Sequence, residues 1–180
     1  MSHAAVFLDR DGVLNRPTIR SGRPYPPESV AELHVLAGVA HACRDLREAG
    51  LTLVCVTNQP DIGRGRQDPD TVAAINDRLK KLLGLHDVVV CPHDDKDGCL
   101  CRKPLPGMIL SAARRQDLDV SRSVTVGDRW RDVEAGHAAG TWTVFIDRGY
   151  NERQPEHVDL TVKELKEAVP WIIDKAHSRS

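Results

Sequence analysis

Neither sign of charge prevails in this 180-residue sequence, which sets 25 lysines and arginines against 26 aspartates and glutamates. Such a balance offers no face basic enough to hold a nucleic-acid backbone or an anionic membrane, so the expected partner is a small molecule. Long apolar runs are missing too. Residues 51–56, LTLVCV, are one of the longest such stretches and fall far short of the roughly 20 residues that a membrane span needs. Residues 1–10 lack the basic start and extended apolar core of a secretory signal, and the expected location is the cytoplasm. Five cysteines, an odd number, do not make a disulfide framework, and three of them crowd into residues 91–101 around a histidine. Cys43 and Cys55 lie in apolar patterns and read as plain core residues.

What is present reads as one α/β domain over residues 1–180, a length that can bury one substantial core. Short apolar runs at residues 4–8, 51–56, 88–90, 124–126 and 143–146 have the form of strands buried on both faces. Helical patterns separate them. The first spans residues 35–49 and stops at Gly50; the second takes Asp68 as N-cap and Pro69 in its first turn, and ends before Gly84. Further helices are expected at residues 106–116 and 129–139, and a last one opening on a capping box of Thr161 and Glu164. This alternation predicts a doubly wound, Rossmann-like parallel sheet with helices on both faces and ligands beyond the carboxyl ends of the strands. The longest irregular stretch, residues 15–29, suits an active-site loop, with Arg16, Arg20 and Arg23 as candidates to line a substrate entrance.

The end of the first strand carries Asp9-Arg10-Asp11-Gly12, two carboxylates at i and i+2 that can point into one crevice. A carboxylate attacks phosphorus once a cation offsets the repulsion between two anions, and a second carboxyl can protonate the leaving oxygen and then activate water. Asp9 fits the nucleophile and Asp11 the acid/base. The same four residues also suit a simple turn after a strand, where aspartate and glycine are favoured for backbone reasons. The other strand ends bear on the choice. Thr57-Asn58-Gln59 offers donors for phosphoryl oxygens, Gly127-Asp128 and Asp132 add carboxylates for one magnesium ion, and Lys103 brings a fixed positive charge.

Taken in order, Phe7-Leu8-Asp9-Arg10-Asp11-Gly12, Thr57-Asn58-Gln59, Arg102-Lys103-Pro104 and Gly127-Asp128-Arg129 with Asp132 resemble the four motifs of the haloacid dehalogenase-like phosphohydrolases. That resemblance implies a phosphatase with Asp9 as nucleophile, Asp11 as acid/base, and Thr57 and Lys103 on the phosphoryl group. It further implies magnesium held by Asp9, Asp128 and the backbone carbonyl of Asp11, with Asp132 orienting the metal shell. An acid at Asp11 is what a phosphomonoester hydrolase of that family needs and a dehalogenase does not.

Cys91-x-His93 and Cys99-x-Cys101 supply three sulfurs and an imidazole within eleven residues, a set suited to tetrahedral zinc with no open position, hence a structural site. The intervening residues 94–98, DDKDG, are too polar for cysteines packed in a core. A nucleic-acid zinc finger would need a long helix-bearing interval that is missing here. Arg102 and Lys103 follow Cys101 directly, so a metal at residues 91–101 would also preorganise the cations facing phosphate.

Within the family, the loop resembles the branch of heptose 1,7-bisphosphate 7-phosphatases and histidinol-phosphate phosphatases. Residues 62–65, IGRG, and 101–108, CRKPLPGM, resemble the heptose enzymes, whereas the five residues between His93 and Cys99 look more like the histidinol-phosphate ones. The resemblance implies a sugar bisphosphate as the favoured substrate, met by Asn58, Gln59, Arg102 and Arg129. The stretches between the motifs hold no inserted cap domain, and with no dimer-forming element evident a monomer is expected. A catalytically silent sugar-phosphate-binding protein is the alternative of a different class.

Overall fold

A computed structural model describes residues 3–21 and 23–178. In chain order, the strands and helices of the described residues are β1 (Ala5–Leu8), β2 (Thr18–Arg20), β3 (Arg23–Tyr25), α1 (Val39–Glu48), β4 (Thr52–Asn58), α2 (Pro60–Gly63), α3 (Pro69–Leu83), β5 (Asp87–Cys91), α4 (Gly107–Gln116), β6 (Val124–Gly127), α5 (Trp130–Ala139), β7 (Trp142–Ile146), β8 (Leu160–Val162) and α6 (Leu165–His177). Six strands form one parallel sheet in the order β5-β4-β1-β6-β7-β8, and β2 and β3 form a separate antiparallel hairpin.

Side-chain alternation explains the layers. In β1, Val6 and Leu8 face α1, α3 and α6, while Ala5 and Phe7 face α4 and α5 on the opposite side. In β4, Leu53 and Cys55 take the first face, Val54 and Val56 the second. Burial on both faces is why these strands read as continuous apolar runs. Truncating a fully buried side chain such as Leu46 of α1 to alanine would cost roughly 2–5 kcal/mol through lost transfer energy and a residual cavity.

Local signals and long-range pairing share control of the helix ends. For α3 the local signal suffices: Asp68 Oδ2 accepts from the Thr71 N–H at 2.8 Å, Pro69 fills the first position and Gly84 closes the helix with φ +65°. α1 starts at Val39, later than the pattern predicts, because Gly38 turns with φ +77° and Val35 is drawn into an antiparallel bridge with Asn15. The capping box expected at Thr161 and Glu164 does not form. Thr161 lies in β8, and α6 begins after Glu164 with no side-chain cap bond. Leu160 and Val162, apolar at alternate positions, pair beside Val144 and Ile146 of β7, and the gain from extending the sheet overrides the local capping preference.

β1 lies between β4 on one side and β6 on the other, so connections leave it in opposite directions and open a crevice at the carboxyl ends. The Asp9 N–H donates to the Val126 carbonyl at 2.9 Å, carrying the pairing of β1 and β6 up to the mouth of that crevice. Among the described residues, no helix is long and apolar enough to cross a membrane.

Candidate active site

The crevice holds a cavity of about 320 Å³ lined by Asp9, Asp11, Thr57, Lys103 and Asp132, with arginines at its rim. On its floor Lys103 Nζ donates to Asp9 Oδ1 at 2.7 Å and to the Val56 carbonyl at 2.8 Å, and lies 2.5 Å from Asp132 Oδ1. Lys103 is 3% exposed and Asp132 3%, so neither charge is solvated well. Burial works against the Lys103 ammonium, but the charges of Asp132 and Asp9 outweigh it and raise its pKa. Burial pushes the Asp9 carboxyl up to about 6, with Lys103 pulling the other way and Asp132 adding to the rise.

Asp128, directly after β6, is 1% exposed. Burial, then the charges of Asp9 and Asp132, lifts its pKa well above the ordinary carboxylate range. Its Oδ1 is buried without a hydrogen-bond partner, and carboxylate oxygens of Asp9, Asp128 and Asp132 lie within 4.8 Å of one another. Three clustered carboxylates, two of them paired with one ammonium and the third with an orphaned oxygen, fit a hard divalent cation that takes oxygen ligands. Two glycines keep this packing possible. A Cβ at Gly127 would stand 2.0 Å from the Asp132 Cβ, and one at Gly12, where φ is +98°, would stand 1.8 Å from Asp128 Oδ2.

Asp11 is held by three side chains. Arg10 Nη2 reaches its Oδ2 at 3.0 Å, Gln59 Nε2 donates to the same oxygen at 2.8 Å, and Asn15 Nδ2 donates to Oδ1 at 2.9 Å. Arg10 is fully buried and its Nη1 donates to Asn76 Oδ1 of α3 at 2.8 Å, so the cation is compensated from both sides. Gln59 Nε2 also donates to Thr57 Oγ1 at 2.9 Å. Asn58 faces the backbone of Lys103, giving Nδ2 to its carbonyl and accepting its N–H on Oδ1, both at 3.1 Å. In this arrangement Asn58 positions the lysine and Gln59 positions Asp11.

At the rim, Arg102 Nε donates to Asp95 Oδ1 at 2.8 Å, and Arg131 Nη1 shares that oxygen at 3.0 Å. Two guanidinium groups on one carboxylate leave a net positive charge there. Arg64 forms a bidentate pair with Asp94 at 2.8 and 2.7 Å, which holds the Asp94 carboxyl well below the usual carboxylate range. Arg129 is taken by Glu152, with Nε 3.0 Å from Oε1 and Nη2 2.5 Å from Oε2; that bonding raises the guanidinium pKa further.

Beside this rim, Cys91, His93, Cys99 and Cys101 converge. Sulfur–sulfur separations are 3.2, 3.5 and 3.7 Å, and His93 Nδ1 lies 3.6 Å from Cys91 Sγ and 3.4 Å from Cys101 Sγ. A tetrahedron with metal–sulfur bonds of about 2.3 Å has edges of about 3.8 Å, so a small contraction-free adjustment would seat zinc. The Cys99 thiol sits at about 7: burial opposes the thiolate, but hydrogen bonds from Cys101 and from backbone N–H groups favour it more strongly.

The family model for haloacid dehalogenase-like hydrolases matches residues 15–140. The chain belongs to that family. Among curated relatives, the D-glycero-beta-D-manno-heptose-1,7-bisphosphate 7-phosphatase of Bordetella bronchiseptica is 40% identical over 80% of this chain and 82% of its own. The D-glycero-D-manno-heptose-1,7-bisphosphate 7-phosphatase of Thermosynechococcus vestitus is 34% identical over 96% of both chains. A crystal structure of the B. bronchiseptica enzyme, complexed with magnesium and phosphate, superposes with a TM-score of 0.82 at 32% identity, covering 96% of this chain and 99% of that one. This haloacid dehalogenase-like hydrolase is thus an enzyme, a phosphatase.

Within the hydrolase fold, the motif residues Asp9, Asp11, Thr57, Lys103 and Asp132 share one cavity, and Asp128 is buried in a cluster with Asp9 and Asp132. Residues 15–29 contribute Tyr25 and Pro26 to the lining rather than Arg16, and the side chains of Arg20 and Arg23 lie outside the described part of the structure. Sequence reasoning missed Arg10, Asn76, Arg131, Tyr150 and Glu152. Arg131 had a signal, since it sits one residue before Asp132 and so at the mouth of the same crevice.

Proposed function

We propose that this phosphatase is a magnesium-dependent phosphomonoester hydrolase that works through a phospho-aspartyl intermediate on Asp9 and removes the 7-phosphate of D-glycero-D-manno-heptose 1,7-bisphosphate. The observation that carries this reading is the buried ammonium of Lys103 fixed 2.7 Å from Asp9 Oδ1 at the end of the first strand. Asp9 attacks phosphorus and the bond to the sugar oxygen breaks, with Asp11 giving that oxygen its proton. Asp11 then takes a proton from water, which attacks the same phosphorus and releases phosphate and free Asp9. Thr57 and Lys103 hold the phosphoryl oxygens, Lys103 offsetting their charge. Asp9, Asp128 and the backbone carbonyl of Asp11 would hold magnesium, which when bound screens the repulsion between nucleophile and phosphate. Cys91, His93, Cys99 and Cys101 would hold a structural zinc that fixes the chain entering Arg102 and Lys103.

The substrate reading rests on the named relatives and on the rim. Arg102 and Arg131 over a single Asp95, with Arg129 and Arg64 nearby, offer guanidinium groups for a second phosphate. Histidinol phosphate is the second reading, favoured by the five-residue interval in the Cys/His loop. Its amine would need a carboxylate; of Asp94, Asp95 and Asp97, the first two are engaged by Arg64, Arg102 and Arg131, while Asp97 accepts the Asp94 N–H. The experiment is phosphate release with magnesium from both substrates side by side. Higher kcat/KM on the heptose is expected; a preference for histidinol phosphate would replace the substrate, and turnover of neither would return the chain to the binding-protein class.

A further inference from the structure

Alternate residues of the segment that follows β7 reach three separate parts of the site. Arg148 Nε donates to the Gly12 carbonyl at 2.8 Å, Tyr150 Oη donates to Asp128 Oδ2 at 2.7 Å, and Glu152 takes Arg129 in its bidentate pair. The outer two contacts tie the segment to the loops after β1 and β6, which fixes where the tyrosine ring stands between them.

The middle contact makes the two oxygens of Asp128 unequal. Oδ2 is occupied by the tyrosine hydroxyl, whereas Oδ1 is buried with no hydrogen-bond partner. Turning the carboxylate part-way about its Cβ–Cγ bond would break the Tyr150 bond, so the hydroxyl fixes the plane in which the carboxylate lies. Backbone close by is shaped to the same pair. A Cβ at Gly12 would meet Asp128 Oδ2 at 1.8 Å and the Tyr150 hydroxyl at 2.9 Å, so the turn leaves room for the hydroxyl and the carboxylate together.

We propose that Tyr150 is a positioning residue for the divalent cation, holding Asp128 by Oδ2 so that Oδ1 is presented as the ligand atom. The inference rests on the metal reading of the proposed function. Outer partners of ligating carboxylates are typically worth 10–100-fold in metal affinity, and the anchored segment places Tyr150 in that role. Arg148 and Glu152 act at one remove, by holding the segment at both sides of the ring.

The test is Tyr150→Phe, which keeps the ring and removes only the hydroxyl. Calorimetric titration of the intact protein with magnesium chloride should give a Kd raised about tenfold in the variant, with kcat at saturating magnesium within about twofold of wild type. Its melting temperature in magnesium-free buffer should stay close to wild type. Equal magnesium Kd values for variant and wild type would overturn the role of Tyr150 while leaving the metal reading intact, and so would a lowered melting temperature with unchanged Kd. Wild-type protein that binds no magnesium would overturn both.

Discussion

On the floor of the active site, the side chains of Asp9, Lys103 and Asp132 are 3–11% exposed and Asp128 is buried, and their charges are held against one another. On the rim, Arg64, Arg102, Arg129 and Arg131 have side chains 13–38% exposed, each paired with a carboxylate. The difference lies in what each region must do before substrate arrives. A nucleophile and its cation gain from a fixed geometry that needs no rearrangement at the moment of reaction. Recognition groups gain from partners in water that can be exchanged at small cost. The same fold supplies both: Asp9 and Asp128 directly follow strands buried in the sheet, and Lys103 is drawn down to them while its neighbour Arg102 stays at the rim.

The sharpest way to break this contrast is Asp9→Asn, which should lower turnover by at least about 10⁴-fold with the circular dichroism spectrum unchanged. Phosphate release within tenfold of wild type would remove Asp9 as nucleophile. Next comes Lys103→Met. Leaving Asp9 and Asp132 buried without their cation should cost roughly 3–5 kcal/mol in urea unfolding and about 10²–10³-fold in turnover. A stability loss under about 1 kcal/mol would put the floor on the same footing as an exposed pair.

A third test uses pH. Because burial first, and Asp132 besides, raises the Asp9 pKa from 3.8 to about 6, the folded chain binds a proton there that the unfolded chain has already lost. That proton loss sets the sign: between those values this group's contribution to stability falls as pH rises, and a cation on the ionised form reverses the trend. Magnesium should therefore raise the melting temperature more at pH 7 than at pH 5, by roughly the few degrees that 1 kcal/mol gives in a chain of this size. An equal shift at both pH values would contradict a cation on Asp9.

Smaller effects probe the rim and its support. Cys99→Ser should lose bound zinc, read by elemental analysis, and lower stability by about 2–3 kcal/mol, or roughly 5–10 °C; unchanged zinc content would remove Cys99 as a ligand. Glu152→Gln should change stability by less than about 1 kcal/mol, since Arg129 is 38% exposed, and shift KM for the bisphosphate only a few-fold. A loss as large as that of Lys103→Met would show that the rim is as tightly built as the floor.

Asp9, Asp128 and Asp132 were legible in the sequence because each follows a short apolar run or sits within one helical turn of it, and such runs mark strand ends; Lys103 was legible only through its motif, Arg102-Lys103-Pro104. The Cys/His spacing was legible for a similar reason, its four ligands being local. Asn58 and Gln59 show the limit of that reading. Their amides were recognisable as donors, but which way they turn depends on Lys103 and Asp11, far along the chain. Tyr150 meets Asp128 across 22 residues and Arg148 meets Gly12 across 136, with no periodic pattern to announce either contact. β8 escaped because three residues carry little pattern of their own and become a strand only through pairing with β7.

The central claim is that phosphate passes through Asp9, and the direct measurement is acid-quenched mass spectrometry of the protein during turnover of heptose 1,7-bisphosphate with magnesium. The account predicts one phosphoryl group on the peptide carrying Asp9, removed on standing as substrate runs out and missing in Asp9→Asn. Turnover with the phosphoryl group on another residue, or with none trapped on the protein under conditions that preserve acyl phosphates, would contradict it.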